Sequence, residues 1–329
     1  MKKLFGIILC ILVVVSCLAG CSLNRTSGGL TPHAAKKNIA VITAGESDEE
    51  FDNFCNGVLE KFTYHGYKVD KFATRGDMTY LDDLFASSLN GGYTGVILYD
   101  LNDYAEDFYK KASEAGVWTV IFSKVPFESE KLPVVCYDQE EMVSLSVDQL
   151  LELYKGSDAG KKTVAKIWCY GKDEEGFLRS DVFSKKMQEN GIRVAFEAYE
   201  ETLASGLSRS TKAKISTLPE DGECFVWVSD DDMANLVSTY LKNESINNAV
   251  VVSVGFSQKN LKNMFLSKNY WHSTSAVSYK KAGAVCADVL NKCFDGTEHD
   301  VITYIPSVVL ETESLEDDSS IEVLEEISE

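Results

Sequence analysis

The residues of this chain that could do chemistry are few, and they do not combine into a catalytic or metal site. Asp230-Asp231-Asp232 is the densest group of possible metal ligands, but three adjacent side chains cannot converge on one ion without irregular backbone. Their place between a predicted strand and a predicted helix favours helix capping. The four histidines lie far apart, and the glycine motifs for phosphates and the serine elbow of hydrolases are missing. The sequence therefore predicts no enzyme, no metal and no cofactor.

The charge distribution excludes two classes of binding partner, nucleic acids and anionic lipid surfaces. The chain has 329 residues and a net charge of −19, and residues 311–329 hold nine acidic residues and no lysine or arginine. Binding to nucleic-acid phosphates needs basic patches, so nucleic acid is excluded as a partner, and adhesion to anionic lipid is excluded for the same reason. The segment 313–329 is predicted to be an acidic, disordered tail.

The N-terminus has the pattern of an export signal. Two lysines precede Leu4–Leu18, an uncharged run too short for a bilayer, which takes about 20 residues. The ending Leu18-Ala19-Gly20-Cys21 resembles the lipobox of bacterial lipoproteins, in which the cysteine receives a diacylglycerol. This implies a signal peptide over residues 1–20, lipidation of Cys21, a tether over residues 21–37, and a protein held at the cell surface or in the periplasm by its lipid alone. An ordinary secretory signal with a chance cysteine is the alternative.

The cysteines beyond this segment indicate neither a metal site nor a disulfide framework. None belongs to a CxxC pair, and several lie in apolar runs where a thiol behaves as a small buried hydrophobe. No disulfide can be assigned among Cys55, Cys136, Cys169, Cys224, Cys286 and Cys293.

The rest of the chain alternates short β runs with helix-length amphipathic segments. Glycines end several of the helices, and β-branched runs follow them. The predicted strands are 38–43, 67–73, 95–99, 117–122, 162–169, 192–199, 223–228, 249–254, 271–277 and 301–309. The predicted helices are 48–65, 79–90, 102–115, 139–154, 174–189, 208–218, 231–242, 258–267 and 279–294. This order predicts an α/β protein of two doubly wound parallel-sheet lobes with a break near residue 130. A ligand would bind beyond the carboxyl ends of the strands, in the cleft between the lobes.

Five local motifs over residues 38–311 together resemble the type I periplasmic sugar-binding proteins. An aromatic residue six positions before Gly57 matches the ring that stacks on a sugar in that family. The other motifs are Ser123-Lys124 in place of Asp-Arg, Arg179-Ser180-Asp181-Val182-Phe183 for Arg-x-x-Gly-Phe, Asp230-Asp231-Asp232-Met233-Ala234 for Asn-Asp-x-Met-Ala, and Gly255-Phe256-Ser257 for Gly-Phe-Asp.

The resemblance implies a hinge of three segments, near residues 133–139, 275–279 and 303–308. It divides the chain into an N-terminal lobe of residues 38–135 plus 278–304 and a C-terminal lobe of residues 136–277 plus 305–312. It also implies a monomeric solute-binding lipoprotein of an ABC importer, which captures a small polar solute, expected to be a carbohydrate, by hinge closure. The alternatives are a sensing module for a membrane histidine kinase or chemoreceptor, and a binder of a nucleoside or other non-sugar solute.

The same resemblance selects the candidate binding residues. Aromatic rings cover the faces of a sugar, while charged and amide groups bind its hydroxyls. The expected ligand-binding set is Phe51, Asp48, Asp100, Ser123, Lys124, Tyr170, Arg179, Asp230 and Ser257. Phe51 could instead belong to the core, Arg179 to a helix surface, and Asp100 to a helix cap. Ser123, Ser257 and Val277 replace three polar groups of the family, and each unpartnered sugar hydroxyl costs about 1–3 kcal/mol. The usual pentose or hexose is therefore expected to bind poorly.

Overall fold

The structure is a computed structural model that describes residues 38–125, 129, 131–169, 174–255 and 257–313. The predicted signal peptide, Cys21, the tether, Tyr170 and all but the first residue of the predicted tail lie outside these residues. No helix within the described ranges is long and apolar enough to cross a membrane.

Twelve strands form two six-stranded sheets in the described residues. They are β1 (Asn38–Thr43), β2 (Lys68–Ala73), β3 (Gly95–Tyr99), β4 (Trp118–Ser123), β5 (Val134–Tyr137), β6 (Lys162–Cys169), β7 (Val194–Glu200), β8 (Glu223–Val228), β9 (Ala249–Val254), β10 (Trp271–Ala276), β11 (Ile302–Ile305) and β12 (Val308–Glu311). The first sheet has the order β11-β5-β4-β3-β1-β2 and is entirely parallel. The second has the order β12-β10-β9-β8-β6-β7 and is parallel except for β12. The predicted fold class of two doubly wound lobes is confirmed.

In the part of the chain that the structure describes, nine α-helices connect and cover the strands. They are α1 (Glu49–Thr63), α2 (Met78–Ser87), α3 (Asn102–Ala115), α4 (Gln139–Gly156), α5 (Glu174–Glu189), α6 (Arg209–Ile215), α7 (Asp231–Asn243), α8 (Gln258–Leu266) and α9 (Tyr279–Asp295). A short π-helical turn, Ser88–Gly92, continues α2. Aspartates cap the helices at the cleft edge, because their side chains accept the otherwise unpaired N–H groups of the first turn.

Between residues 38 and 313, in the described ranges, the chain passes between the two sheets three times, which confirms the three predicted crossings. It leaves the first sheet after β5, since α4 packs on the second sheet. It returns after β10, because α9 packs on α1 and on β4. It crosses again between β11 and β12, which lie in different sheets. β5 stays in the first sheet to Tyr137, two residues past the predicted lobe boundary at 135.

Two sequence predictions were wrong around these crossings. The single strand expected over residues 301–309 is two strands in different sheets, β11 and β12, separated by Pro306 and Ser307. Proline has no N–H to give to a ladder, so the run breaks there. β5 was not predicted, because four apolar residues after a proline-containing segment give too short a signal.

The first lobe is held together by a close contact between α1 and α9. A Cβ on Gly57 would overlap the carbonyl oxygen of Lys280, and a Cβ on Gly283 would overlap that of Phe54. Glycine at both positions therefore lets the two helix backbones touch. This contact fixes the start of α1, which carries the residues of the candidate site in this lobe.

Candidate ligand-binding cleft

The start of α1 presents Glu50 to the cleft, while Phe51 packs into the core. Asp48 caps the helix by accepting the Phe51 N–H at 2.9 Å. The Phe51 ring is 1% exposed and meets Tyr99 edge-on, with 5.2 Å between ring centroids. Its faces are therefore closed to a solute in this conformation, as in the core alternative considered from the sequence.

Glu50 forms an ion pair with Lys124, which follows β4. The Lys124 Nζ lies 3.1 Å from Glu50 Oε2 and 5.8 Å from the centroid of the Tyr279 ring. Burial lowers the pKa of Lys124, but the carboxylates of Glu50, Asp100 and Glu175 outweigh it and raise that pKa overall. Lys124 is therefore a charged ammonium group held between a carboxylate and an aromatic ring.

Ser123 and Asp100 shape the neighbouring turns. The buried Ser123 Oγ accepts a hydrogen bond from Asn102 Nδ2 at 2.9 Å and donates one to the Val125 carbonyl at 2.5 Å. Asp100 has a φ of 53°, and its N–H donates to the Phe122 carbonyl at 2.8 Å. The Ser123 hydroxyl is thus engaged within the protein, whereas the exposed Asp100 side chain lies at the rim.

In the second lobe Arg179 is the centre of a buried polar network. Its Nε donates to Gln139 Oε1 at 2.8 Å, its Nη1 donates to the Ser229 carbonyl at 2.8 Å, and its Nη2 pairs with Glu175. The side chain is 6% exposed, unlike the surface residue considered as an alternative. Gln139 extends the network to the first lobe, because its Nε2 donates to the Lys124 carbonyl at 2.6 Å.

Three further polar side chains meet beside this network. Asp230 caps α7 through the Met233 N–H at 2.8 Å, and burial raises its pKa to about 6. Asp231 Oδ2 accepts the Ser257 N–H and the Ser257 hydroxyl, both at 2.7 Å. Ser257 is therefore already bonded within the protein. No group of histidine, cysteine and acidic residues within the described ranges could hold a metal ion.

Tyr99 and Tyr137 were missed from the sequence, although they end β3 and β5 at the cleft edge. Their rings belong to one aromatic series with Phe122 between them, at 5.0 and 5.2 Å. Both side chains are buried, and neither hydroxyl has a hydrogen-bond partner in the described part of the chain. Burial holds the pKa of each phenol well above its usual value, so both remain protonated.

The structure brings most of the predicted residues to one place and adds others. Lys124, Arg179 and Asp230 lie on or beside the polar network, while Asp48 caps α1, Asp100 lies at the rim, and Phe51, Ser123 and Ser257 are occupied internally. The residues that sequence reasoning missed are Glu50, Tyr99, Tyr137, Gln139, Glu175 and Tyr279. Their positions in the sequence could have identified them, because each ends a strand of a parallel sheet or lies in the first turn of a helix.

Comparison with known proteins identifies the fold. No family profile matches the chain, and no curated protein matches it. A periplasmic ribose ABC transporter protein from Conexibacter woesei aligns over 92% of this chain and 100% of its own, with a TM-score of 0.74 and 17% identity. A 5-methylthioribose transporter solute-binding protein from Thermotoga lettingae aligns over 90% and 93%, with a TM-score of 0.67 and 15% identity.

Two further structures of the same shape differ in function. A solute-binding protein from Actinobacillus succinogenes with bound D-allose covers 85% of this chain and 99% of its own, with a TM-score of 0.67 and 18% identity. The trehalose repressor of Escherichia coli covers 84% and 100%, with a TM-score of 0.65 and 17% identity. None of the four is named as an enzyme. The chain has the fold of the type I periplasmic binding proteins.

Proposed function

We propose that this protein is an extracytoplasmic solute-binding protein of an ABC importer, which captures a small polar solute between its lobes by hinge closure. The observation that carries the proposal is the polar network at the facing strand ends. Lys124 and Glu50 belong to the first lobe, Arg179 and Glu175 to the second, and Gln139 bonds to both sides at the hinge. Such a network can rearrange when a solute enters, because its members lie on bodies joined by three short segments.

Neighbours of the same fold support the same role. Several are named as transporter solute-binding proteins, and two of them hold D-arabinose and D-allose. A carbohydrate is therefore the first class of solute to test. The two bodies proposed to move relative to each other are the lobes built on the two sheets. The proposed partner in the membrane is the ABC permease.

Calorimetry tests the binding function directly. The protein is titrated with sugars, polyols and nucleosides, and its thermal unfolding is recorded with each compound. A binder is expected to raise the unfolding temperature, because a ligand that binds only the folded state stabilises it. Small-angle scattering should then show a smaller radius of gyration with ligand than without. A full panel that neither binds nor compacts the protein would overturn the proposal.

The lipid anchor is part of the proposal and has its own test. Cys21 is proposed to carry a diacylglycerol that keeps the binding lobes near the permease, which raises their effective concentration there. Cells fed a labelled fatty acid should incorporate the label into the wild-type protein and not into Cys21→Ala. Label that persists in Cys21→Ala would contradict lipidation at this residue.

A further inference from the structure

The charged residues of the cleft leave it net negative. The cations Lys124 and Arg179 are matched by Glu50 and Glu175, at the ion pairs described above. Asp48, Asp100 and Asp230 add carboxylates at the same strand and helix ends. A cleft of one sign concentrates solutes of the opposite charge, so this one disfavours anions and attracts cations.

The two unpartnered phenols are a second, independent sign of a ligand. Tyr99 is 6% exposed and Tyr137 is 2% exposed, and a buried hydroxyl without a hydrogen bond is costly in free energy. Ring contacts link Glu50 to both phenols: the ring of the next residue, Phe51, meets Tyr99, and the partner of Glu50, Lys124, lies over the Tyr279 ring that packs against Tyr137. Together these residues offer two phenol oxygens without partners in the described part of the chain and one carboxylate that pairs with Lys124.

The Lys124 side chain provides an example of an ammonium group held by a carboxylate and an aromatic ring at this site. Lys124 Nζ lies against Glu50 and over the Tyr279 ring, and Tyr279 in turn packs edge-on against Tyr137 at 5.9 Å. An ammonium group has three N–H donors and gains further from aromatic faces. Two phenol oxygens and the Glu50 carboxylate match those donors in number.

A neutral sugar finds fewer of its usual partners here. The Phe51 ring is buried, so it cannot stack on a sugar face in this conformation. The hydroxyls of Ser123 and Ser257 are bonded within the protein. The phenol hydroxyls of Tyr99 and Tyr137, by contrast, have no partner in the described residues, and their oxygens can accept hydrogen bonds from an ammonium group.

We propose that the cleft selects a solute that carries a primary ammonium group, such as an amino sugar or a small amino alcohol, with Glu50, Tyr99 and Tyr137 as its binding residues. This inference rests on the proposed function and names the class of its solute. In it Lys124 competes with the solute for Glu50, so the lysine weakens binding instead of supporting it.

Matched pairs of compounds test the inference by calorimetry. The full-length protein is titrated with D-glucosamine and D-glucose, D-galactosamine and D-galactose, ethanolamine and ethylene glycol, and the N-acetylated amino sugars, which keep the nitrogen but lose its charge. At least one amine should bind about tenfold more tightly than its neutral partner and its acetylated form, the ratio expected for a charge-assisted contact.

Variants assign the contact to its residues. Glu50→Gln and Tyr137→Phe should each weaken amine binding by about tenfold, whereas Lys124→Met should strengthen it several-fold. Glu60→Gln is the matched control, because Glu60 lies on the same helix and pairs with Lys280 on an exposed face. Circular dichroism and thermal unfolding confirm that each variant is folded, and Tyr99→Phe provides a second phenol variant if Tyr137→Phe does not fold.

Three outcomes would overturn the inference. Neutral compounds that bind as tightly as their amines would refute the ammonium site but leave the solute-binding function standing. Amine binding that Glu50→Gln leaves unchanged, or that Lys124→Met abolishes, would refute the assigned residues. A panel without any binder would refute the inference, and the proposed function fails with it only if the wider solute screen is also negative.

Discussion

Replacing Asp230 with asparagine tests whether burial of this carboxyl opposes folding at neutral pH. Asp230 caps α7, and burial raises its pKa from 3.8 to about 6. The native state therefore holds the proton more tightly than the unfolded chain does. The stabilisation from this group is fully present below pH 3.8 and is lost as the pH rises through about 6.

The magnitude follows from the two pKa values. At pH 5 the native carboxyl is mostly protonated while the unfolded one is mostly ionised, which stabilises the native state by about 1.4 kcal/mol relative to pH 8. Asparagine caps a helix about as well as aspartate and does not titrate. The free energy of unfolding of Asp230→Asn, relative to wild type, should therefore be about 1.4 kcal/mol higher at pH 8 than at pH 5.

Urea unfolding at pH 5 and pH 8, followed by tryptophan fluorescence, measures this difference. Asp77→Asn is the matched control, because Asp77 caps α2 on an exposed surface by accepting the Tyr80 N–H. Its free energy of unfolding should stay within about 0.5 kcal/mol of wild type at both pH values. If the gap between Asp230→Asn and wild type were the same at pH 5 and pH 8, the burial argument would be refuted.

Three substitutions and one labelling experiment report on packing. Gly283→Ala should destabilise the protein by about 3 kcal/mol in urea unfolding, because a Cβ there overlaps the backbone of α1, whereas Gly156→Ala meets nothing within 4 Å and should stabilise it by about 0.5–1 kcal/mol. Ser146→Ala should cost about 1–3 kcal/mol and change the near-ultraviolet circular dichroism, since it removes the acceptor of the buried Trp227 indole N–H. Iodoacetamide at pH 8 should label Cys169 in the native protein and spare the other described cysteines, because burial raises the pKa of all five of those thiols. Rapid labelling of any of the five in the native protein would contradict their burial.

The fold could be predicted because its signals are local and repeated. Buried parallel strands such as β3 and β9 are continuous apolar runs, and a glycine in the left-handed conformation ends α3 at Gly116. The strands that escaped prediction lie at the crossings. β5, β11 and β12 have four residues each. The sheet that each of them joins depends on the lobe in which the chain lies at that point, and the local sequence does not encode this.

The site could be predicted in outline only, since a shift of one residue on a helix turns a side chain by about 100°. The aromatic residue before Gly57 suggested that Phe51 faces the cleft, yet Phe51 shares the buried side of α1 with Phe54, Val58 and Phe62. That apolar spacing of three and four residues is visible in the sequence, and it points Phe51 inward and leaves Glu50 for the cleft. In the proposed site, the group on α1 that faces the solute is therefore a carboxylate and not an aromatic ring. A family resemblance can thus predict the fold and the position of the site and still mislead about the solute. The fold depends on the buried apolar residues of α1, whereas the solute depends on the residue next to them that faces the cleft.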